Sequence, residues 1–300
     1  MSLNEKIIET EIRGGYTSDG AGVRLFRVFG GKYTFPRTDP FLLMDYFGSG
    51  NPAEYEAGFP WHPHRGIETL TYQIRGVTDH EDSNGNSGRI FPGDVQSMSA
   101  GSGIYHQEMP GPSRNGDGKI LSQEVLGVQL WINIPHARKM STPAYAYHKS
   151  SSIPEIRKGN LTQVRVVSGS VEDATGPYES TNYQGISYIH MKIGSGDEFH
   201  LRGYEGKRVV VFCFSGSARI GKDHVLGERN SFSLSVSGDS FAVQGMANES
   251  DLIIIGGKPT GENIEWYGPI VMATREEINE AISDLNSGRF VRSREPLVIQ

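Results

Sequence analysis

The chain has 300 residues, 36% of them hydrophobic and 21% charged, and a net charge of −6. That length accommodates two cores, and the negative balance, with no run of Lys or Arg, argues against direct nucleic-acid contact. The single cysteine, Cys213, excludes an internal disulfide and a multi-cysteine zinc or iron–sulfur site. No stretch nears the ~18 apolar residues of a bilayer span, and no apolar leader stands at the N-terminus. No membrane association and a reducing, cytoplasmic setting are therefore expected.

Thirty-eight glycines punctuate the sequence and helical periodicity is nearly absent. Short apolar or alternating runs at 23–29, 68–74, 125–134, 163–167, 186–193, 209–214 and 252–255 read as antiparallel strands of sandwiches or barrels. Between the first two lies Phe59-Pro-Trp-His-Pro-His-Arg-Gly-Ile-Glu68. His62 and His64 are two residues apart, so in extended chain both imidazoles project to one side, and Pro63 favours that geometry. Further on, Gly101-Ser-Gly-Ile-Tyr-His106-Gln-Glu108 supplies a second co-facial pair. Two such pairs on neighbouring strands converge on a point, and three imidazoles with a carboxylate suit a first-row transition metal with open positions. Glu68 competes with Glu108 for the carboxylate place: on an unbroken strand it shares a face with His64, and spacing does not choose between them. The aromatics nearby, Tyr46, Phe47, Phe59 and Trp61, read as core, with one or two available to line a pocket.

Residues 140–154 are rich in Ser, Pro and Tyr with little apolar periodicity. We place a domain boundary there, with an N-terminal metal-binding domain over 1–142 and a C-terminal domain over 143–300. In the second half, Gly216-Ser-Ala-Arg-Ile-Gly-Lys222-Asp223 nearly matches a phosphate-binding loop, but Asp223 replaces the magnesium-binding hydroxyl and no helix pattern follows, so a turn between strands is the better reading. His148, His190, His200 and His224 contain no His-x-His pair and read as surface or hydrogen-bonded residues. Cys213, inside an apolar run, reads as an inert core thiol. The one clear helix spans about 274–287. Thr274 and Glu277 form a capping box, Ile278, Ala281, Ile282 and Leu285 make one apolar stripe, and Gly288 supplies the stop.

These motifs resemble those of the pirins, two-domain members of the cupin superfamily. His62-Pro-His-Arg-Gly-Ile-Glu68 resembles the first pirin signature and Pro92 to Pro110 the second, with His80-Glu-Asp82 between them also pirin-like. Gly256-Gly-Lys-Pro and Trp266 to Met272, with the helix after them, resemble the pirin C-terminal segment. The resemblance implies an all-β fold of two jelly-roll-like cupin barrels with a C-terminal helix. It also implies one mononuclear divalent metal, most commonly Fe(II), with Mn, Ni, Cu and Zn also compatible. The ligands carry over as His62, His64, His106 and Glu108, leaving Glu68 as an acceptor that fixes a histidine tautomer, and the second barrel is expected to lack a metal. Pirins include quercetin 2,3-dioxygenases, so the implied activity is opening of a flavonol ring with O2 and release of CO. In that reaction Glu108 is both a ligand and the base that takes the 3-hydroxyl proton. Other pirins act without catalysis, as iron-bearing regulators that bind protein partners, with quercetin turnover a side activity.

Overall fold

Every side chain from Val209 to Phe214 is buried, and that one strand shows the plan of the molecule. Alternate side chains of a strand point to opposite faces. Val209, Val211 and Cys213 enter a core with Ile189, Leu252 and Ile254, whereas Val210, Phe212 and Phe214 enter another with Tyr46, Tyr72 and Leu130 from the first half of the chain. A strand this apolar is covered on both sides: one face fills a barrel, the other forms the seam between two barrels.

The computed structural model describes residues 4–159, 161–183 and 185–292 and the strand Leu297–Ile299. In the first barrel an eight-stranded sheet runs in the order Gly15–Asp19, Val23–Gly30, Phe41–Ser49, Val125–Asn133, Ile67–Arg75, Val95–Ser99, Ala144–His148, Leu297–Ile299. Facing it is a four-stranded sheet, Phe59–His64, Ile104–Gly111, Val77–Asp82, Ser87–Ile90. The second barrel repeats the arrangement with seven strands against four. All pairings between named strands are antiparallel except that of Ala144–His148 with Leu297–Ile299. The expected all-β, two-cupin architecture with a C-terminal helix is what the chain adopts.

Strands also cross between the halves. Ile8–Arg13 pairs with Asn230–Leu234 at the edge of the second barrel's long sheet, and Ala144–His148 pairs with Val95–Ser99 in the first. The phosphate-loop look-alike is a turn between Ser217–Ile220 and His224–Gly227. The helix covers Arg275–Asn286, with the Thr274–Glu277 capping box formed, and Ile278 and Ala281 pack on Ile270, Met272 and Phe290. Among the described residues no helix is long and apolar enough to cross a membrane.

Candidate metal centre

The strand Phe59–His64 carries two imidazoles on one face, as the His-Pro-His spacing requires. It pairs with Ile104–Gly111, where His106 stands directly opposite His62. Gly103 brings the chain into that second strand at φ +135°, and a Cβ there would lie 2.4 Å from the Phe290 carbonyl oxygen, so the turn before His106 admits only glycine. The three rings close on one another, with centroids 4.4 Å apart for His62–His106 and 4.8 Å for the other two pairs.

Two backbone carbonyls orient the first two rings. A carbonyl oxygen only accepts, so the Nδ1–H of His62 donates to Pro60 (2.9 Å) and the Nδ1–H of His64 to Pro269 (3.1 Å). In the neutral form of both rings, the form that binds metal, the two Nε2 atoms then present lone pairs 3.0 Å apart. Two facing lone pairs repel unless a cation lies between them. Nitrogens about 2.1 Å from one ion and at right angles about it would stand about 3.0 Å apart, which is the spacing seen. His106 is 1% exposed, and neither of its ring nitrogens has a hydrogen-bond partner, a costly state that a bound cation relieves. Burial, followed by the neighbouring imidazoles, holds His64 and His106 well below the ordinary histidine pKa, so both rings stay neutral, the form that ligates metal. The residues present fit a divalent metal.

Glu108 sits beside this trio and not fully within it. The register slips between His106 and Glu108, placing Glu108 opposite Phe59, and this bulge re-aims its carboxylate. Among the described residues two groups of side chains could hold a metal: His62, His64 and His106 form one, and His80, His106 and Glu108 form the other. Thr71 Oγ1 donates to Glu108 Oε1 (3.0 Å) and Gln129 Nε2 to Oε2 (3.3 Å).

His80 was not among the expected site residues. It faces Glu108 across the pairing of Val77–Asp82 with Ile104–Gly111, its ring stacks on Tyr145, and its Nε2 lies 3.7 Å from Asp82 Oδ2. Thr78, His80 and Asp82 alternate inward along that strand, so a signal was present as a third alternating pair, His80-Glu-Asp82, after His62-Pro-His64 and His106-Gln-Glu108.

Glu68 is corrected. Its carboxylate accepts from Tyr178 Oη and from Ser180 Oγ (2.7 Å) in the second half, while the Nδ1–H groups of His62 and His64 go to backbone carbonyls instead. The expected shared face with His64 assumed an unbroken strand. Gly66, at φ +75° and with the Val271 carbonyl where a Cβ would stand, breaks it and reverses the parity, so Thr69 and Thr71 face the site while Glu68, Leu70 and Tyr72 face the seam. Burial raises the Glu68 pKa.

The C-terminal segment clamps this break. Arg65, 1% exposed, donates from Nη1 to Asp284 Oδ2 (3.0 Å) on the helix and from Nη2 to the Phe290 carbonyl (3.0 Å), with its guanidinium over the Phe290 ring. Lys139 Nζ donates to the carbonyls of Gly66 (2.9 Å) and Val271 (3.0 Å) and to Asn133 Oδ1 (2.7 Å). Both residues after His64 are thereby fixed.

His62, His64 and Glu108 open onto a cavity of about 690 Å³ whose walls include Leu43, Phe47, Phe59 and Trp131. Phe47 and Phe59 are thus the pocket aromatics, while Tyr46 belongs to the seam and Trp61 is half exposed.

A double-barrel cupin with a histidine-walled pocket in its first barrel is the class defined by this fold and site. Residues 22–132 match the family model for pirin and residues 188–291 that for the pirin C-terminal cupin domain. A Caulobacter vibrioides pirin-like protein is 37% identical, the match covering 93% of this chain and 97% of the relative. A Thermoplasma acidophilum protein named provisionally as a quercetin 2,3-dioxygenase is 41% identical over 84% of this chain and 99% of its own length. The crystal structure of quercetin 2,3-dioxygenase from Acinetobacter baumannii superposes with a TM-score of 0.87 at 30% identity, covering 97% of this chain and 99% of that one. The chain belongs to the pirin family.

Proposed function

We propose that this protein is a metal-dependent flavonol dioxygenase that opens quercetin-like substrates with O2 and releases CO. His62, His64, His106 and Glu108 hold one divalent metal, Fe(II) in the working enzyme. The observation that carries this reading is the pair of carbonyl-oriented Nε2 atoms 3.0 Å apart at the floor of a cavity of about 690 Å³. The A. baumannii quercetin 2,3-dioxygenase, alike over nearly its whole length, supports the substrate class.

Bound there, the metal would supply Lewis acidity that lowers the pKa of a flavonol 3-hydroxyl, and a reaction partner for O2. The rest belongs to the chain. Glu108, steadied by Thr71 and Gln129, takes the 3-hydroxyl proton on a carboxylate oxygen. Leu43, Phe47, Phe59 and Trp131 exclude water and confine a flat ring system. His80 and Asp82, buried behind His106, keep the inner wall polar beside Glu108.

The test is elemental analysis of purified protein, then O2 uptake and CO release with quercetin on protein loaded anaerobically with iron, manganese, nickel or copper. Stoichiometric metal with CO release is the expected result. Protein that takes up none of these ions sinks the metal centre. Metal-loaded protein that consumes no O2 with quercetin sinks the dioxygenase and favours the regulatory role known among pirins.

A further inference from the structure

The inner face of the eight-stranded sheet carries a row of polar side chains that extends beyond Thr71 and Gln129, the two that reach across to Glu108. Gln129 faces Thr71 on one neighbouring strand and Asp45 on the other, and Asp45 faces Arg27. Thr71 and Gln129 hold Glu108. Adjacent strands lie about 4.8 Å apart, so Asp45 stands roughly 10 Å along the sheet from Thr71 and Arg27 roughly 14 Å. Arg27, Asp45 and Gln129 all line the cavity, with the apolar Leu25, Leu43 and Phe47 beside them.

Asp45 is 5% exposed. Arg27 grips it side-on, Nε to Oδ1 at 2.9 Å and Nη2 to Oδ2 at 2.8 Å, and the same Nη2 donates to Asp19 Oδ2 at 2.8 Å. One guanidinium between two carboxylates leaves a net charge of −1, and the carboxylate of Asp45 keeps lone pairs that Arg27 does not use. An ion pair between a buried carboxylate and a part-exposed guanidinium adds little stability. Here burial works against Asp45, raising its pKa to about 6. A group kept ionic at that cost, with spare acceptor capacity in the wall of a pocket, is suited to receive donors from a ligand.

We propose that Asp45, held by Arg27, accepts hydrogen bonds from ring hydroxyls at the end of the substrate remote from the metal, and so selects polyphenols hydroxylated on their pendant ring. The inference rests on the flavonol reading above. The metal end fixes the reacting ring, the aromatic walls fix its plane, and Asp45 reads what the far ring carries.

The experiment measures anaerobic binding of quercetin, which has two adjacent pendant-ring hydroxyls, and galangin, which has none, to the full chain loaded with zinc. Wild type should bind quercetin about tenfold tighter or more, the size of a hydrogen bond to a charged group. Asp45→Asn should bring the two affinities to within about twofold of one another, chiefly by weakening quercetin. Because Asp45→Asn leaves Arg27 with fewer partners, the paired variant Arg27→Met/Asp45→Leu is measured beside it, with thermal melting as the check on folding, and it should also lose discrimination. With iron-loaded protein the loss should fall on KM for quercetin, with kcat and the constants for galangin little changed. Equal binding of the two flavonols to wild type, or unchanged discrimination in a folded variant, overturns the subsite and leaves the flavonol reading standing. Failure of both flavonols to bind wild type overturns both.

Discussion

Asp45, Gln129 and Thr71 point into the first barrel from its long sheet; Ile189, Val211 and Ile254 point into the second from its own. The strand plan is shared and the filling is opposite. The second barrel is closed by aliphatic and aromatic side chains, Val209, Leu252, Phe199 and Val243 among them, which makes it a source of stability. Among the described residues, both groups of side chains that can hold a metal lie in the first. A pocket leaves inner polar faces unpacked, so the first barrel leans on what surrounds it: the shared seam, the C-terminal helix and the clamp on Arg65.

The comparison can be broken most sharply at His106. His106→Ala should reduce metal content from about one ion per chain to near zero, since it removes a ligand and not merely a group that tunes one. The metal-free protein should melt no lower than metal-free wild type, because two unpartnered buried nitrogens go with the ring. Elemental analysis and thermal melting read the two effects, and full metal content in the variant would remove His106 from the ligand set.

Next is the clamp. Asp284→Ala strips a fully buried guanidinium of its carboxylate, which should cost about 3–5 kcal/mol in denaturant unfolding. It should also weaken metal binding about tenfold by loosening the residues that follow His64. Unchanged unfolding would mean that the helix covers the first barrel without holding it. Ile254→Ala provides the opposite case. It opens a cavity in the second barrel and should cost about 3 kcal/mol with metal content intact. A fall in metal content would show that the barrels are coupled more tightly than their separate interiors suggest.

Much of this contrast was legible in the sequence. His62, His64 and His106 converge because strand alternation is a local rule and Pro63 enforces it. The second half's unbroken apolar runs read as buried strands. What was not legible depends on places where the local rule fails. Gly66 turns the chain through a left-handed conformation and sends Glu68 to the seam, and a bulge after His106 aims Glu108 beside the trio. His80 carried only the weaker His-x-Asp alternation and no neighbouring histidine to mark it, and its place in the site follows from pairing with Glu108, 28 residues away. The partners of Glu68 are more than 100 residues distant, and no spacing within a strand reveals them.

The smallest effect separates the barrels by pH. Each holds a buried lysine with three acceptors: Lys139 as described, and Lys6, whose Nζ donates to the carbonyls of Lys207, Ser235 and Val236. Three acceptors match the three donors of an ammonium, but burial opposes the charge and lowers Lys139 to about 7 and Lys6 to about 8 from the usual 10.5. Between the lowered and the usual value the unfolded chain binds the proton that the folded chain releases, so stability rises with pH across that window, by up to about 1.4 kcal/mol per pH unit for each lysine. Below the lowered value both states are protonated and the penalty is constant. Lys139→Met should flatten the slope from about pH 7 upward and Lys6→Met from about pH 8, as read by denaturant unfolding at several pH values. The two should part on metal. Lys139 ties down the carbonyls of Gly66 and Val271, next to His64 and to the Pro269 carbonyl that orients it. Lys139→Met should therefore lower metal affinity as well, while Lys6→Met leaves it unchanged. Equal metal affinity in both variants would mean that His64 is positioned by the Pro269 contact alone.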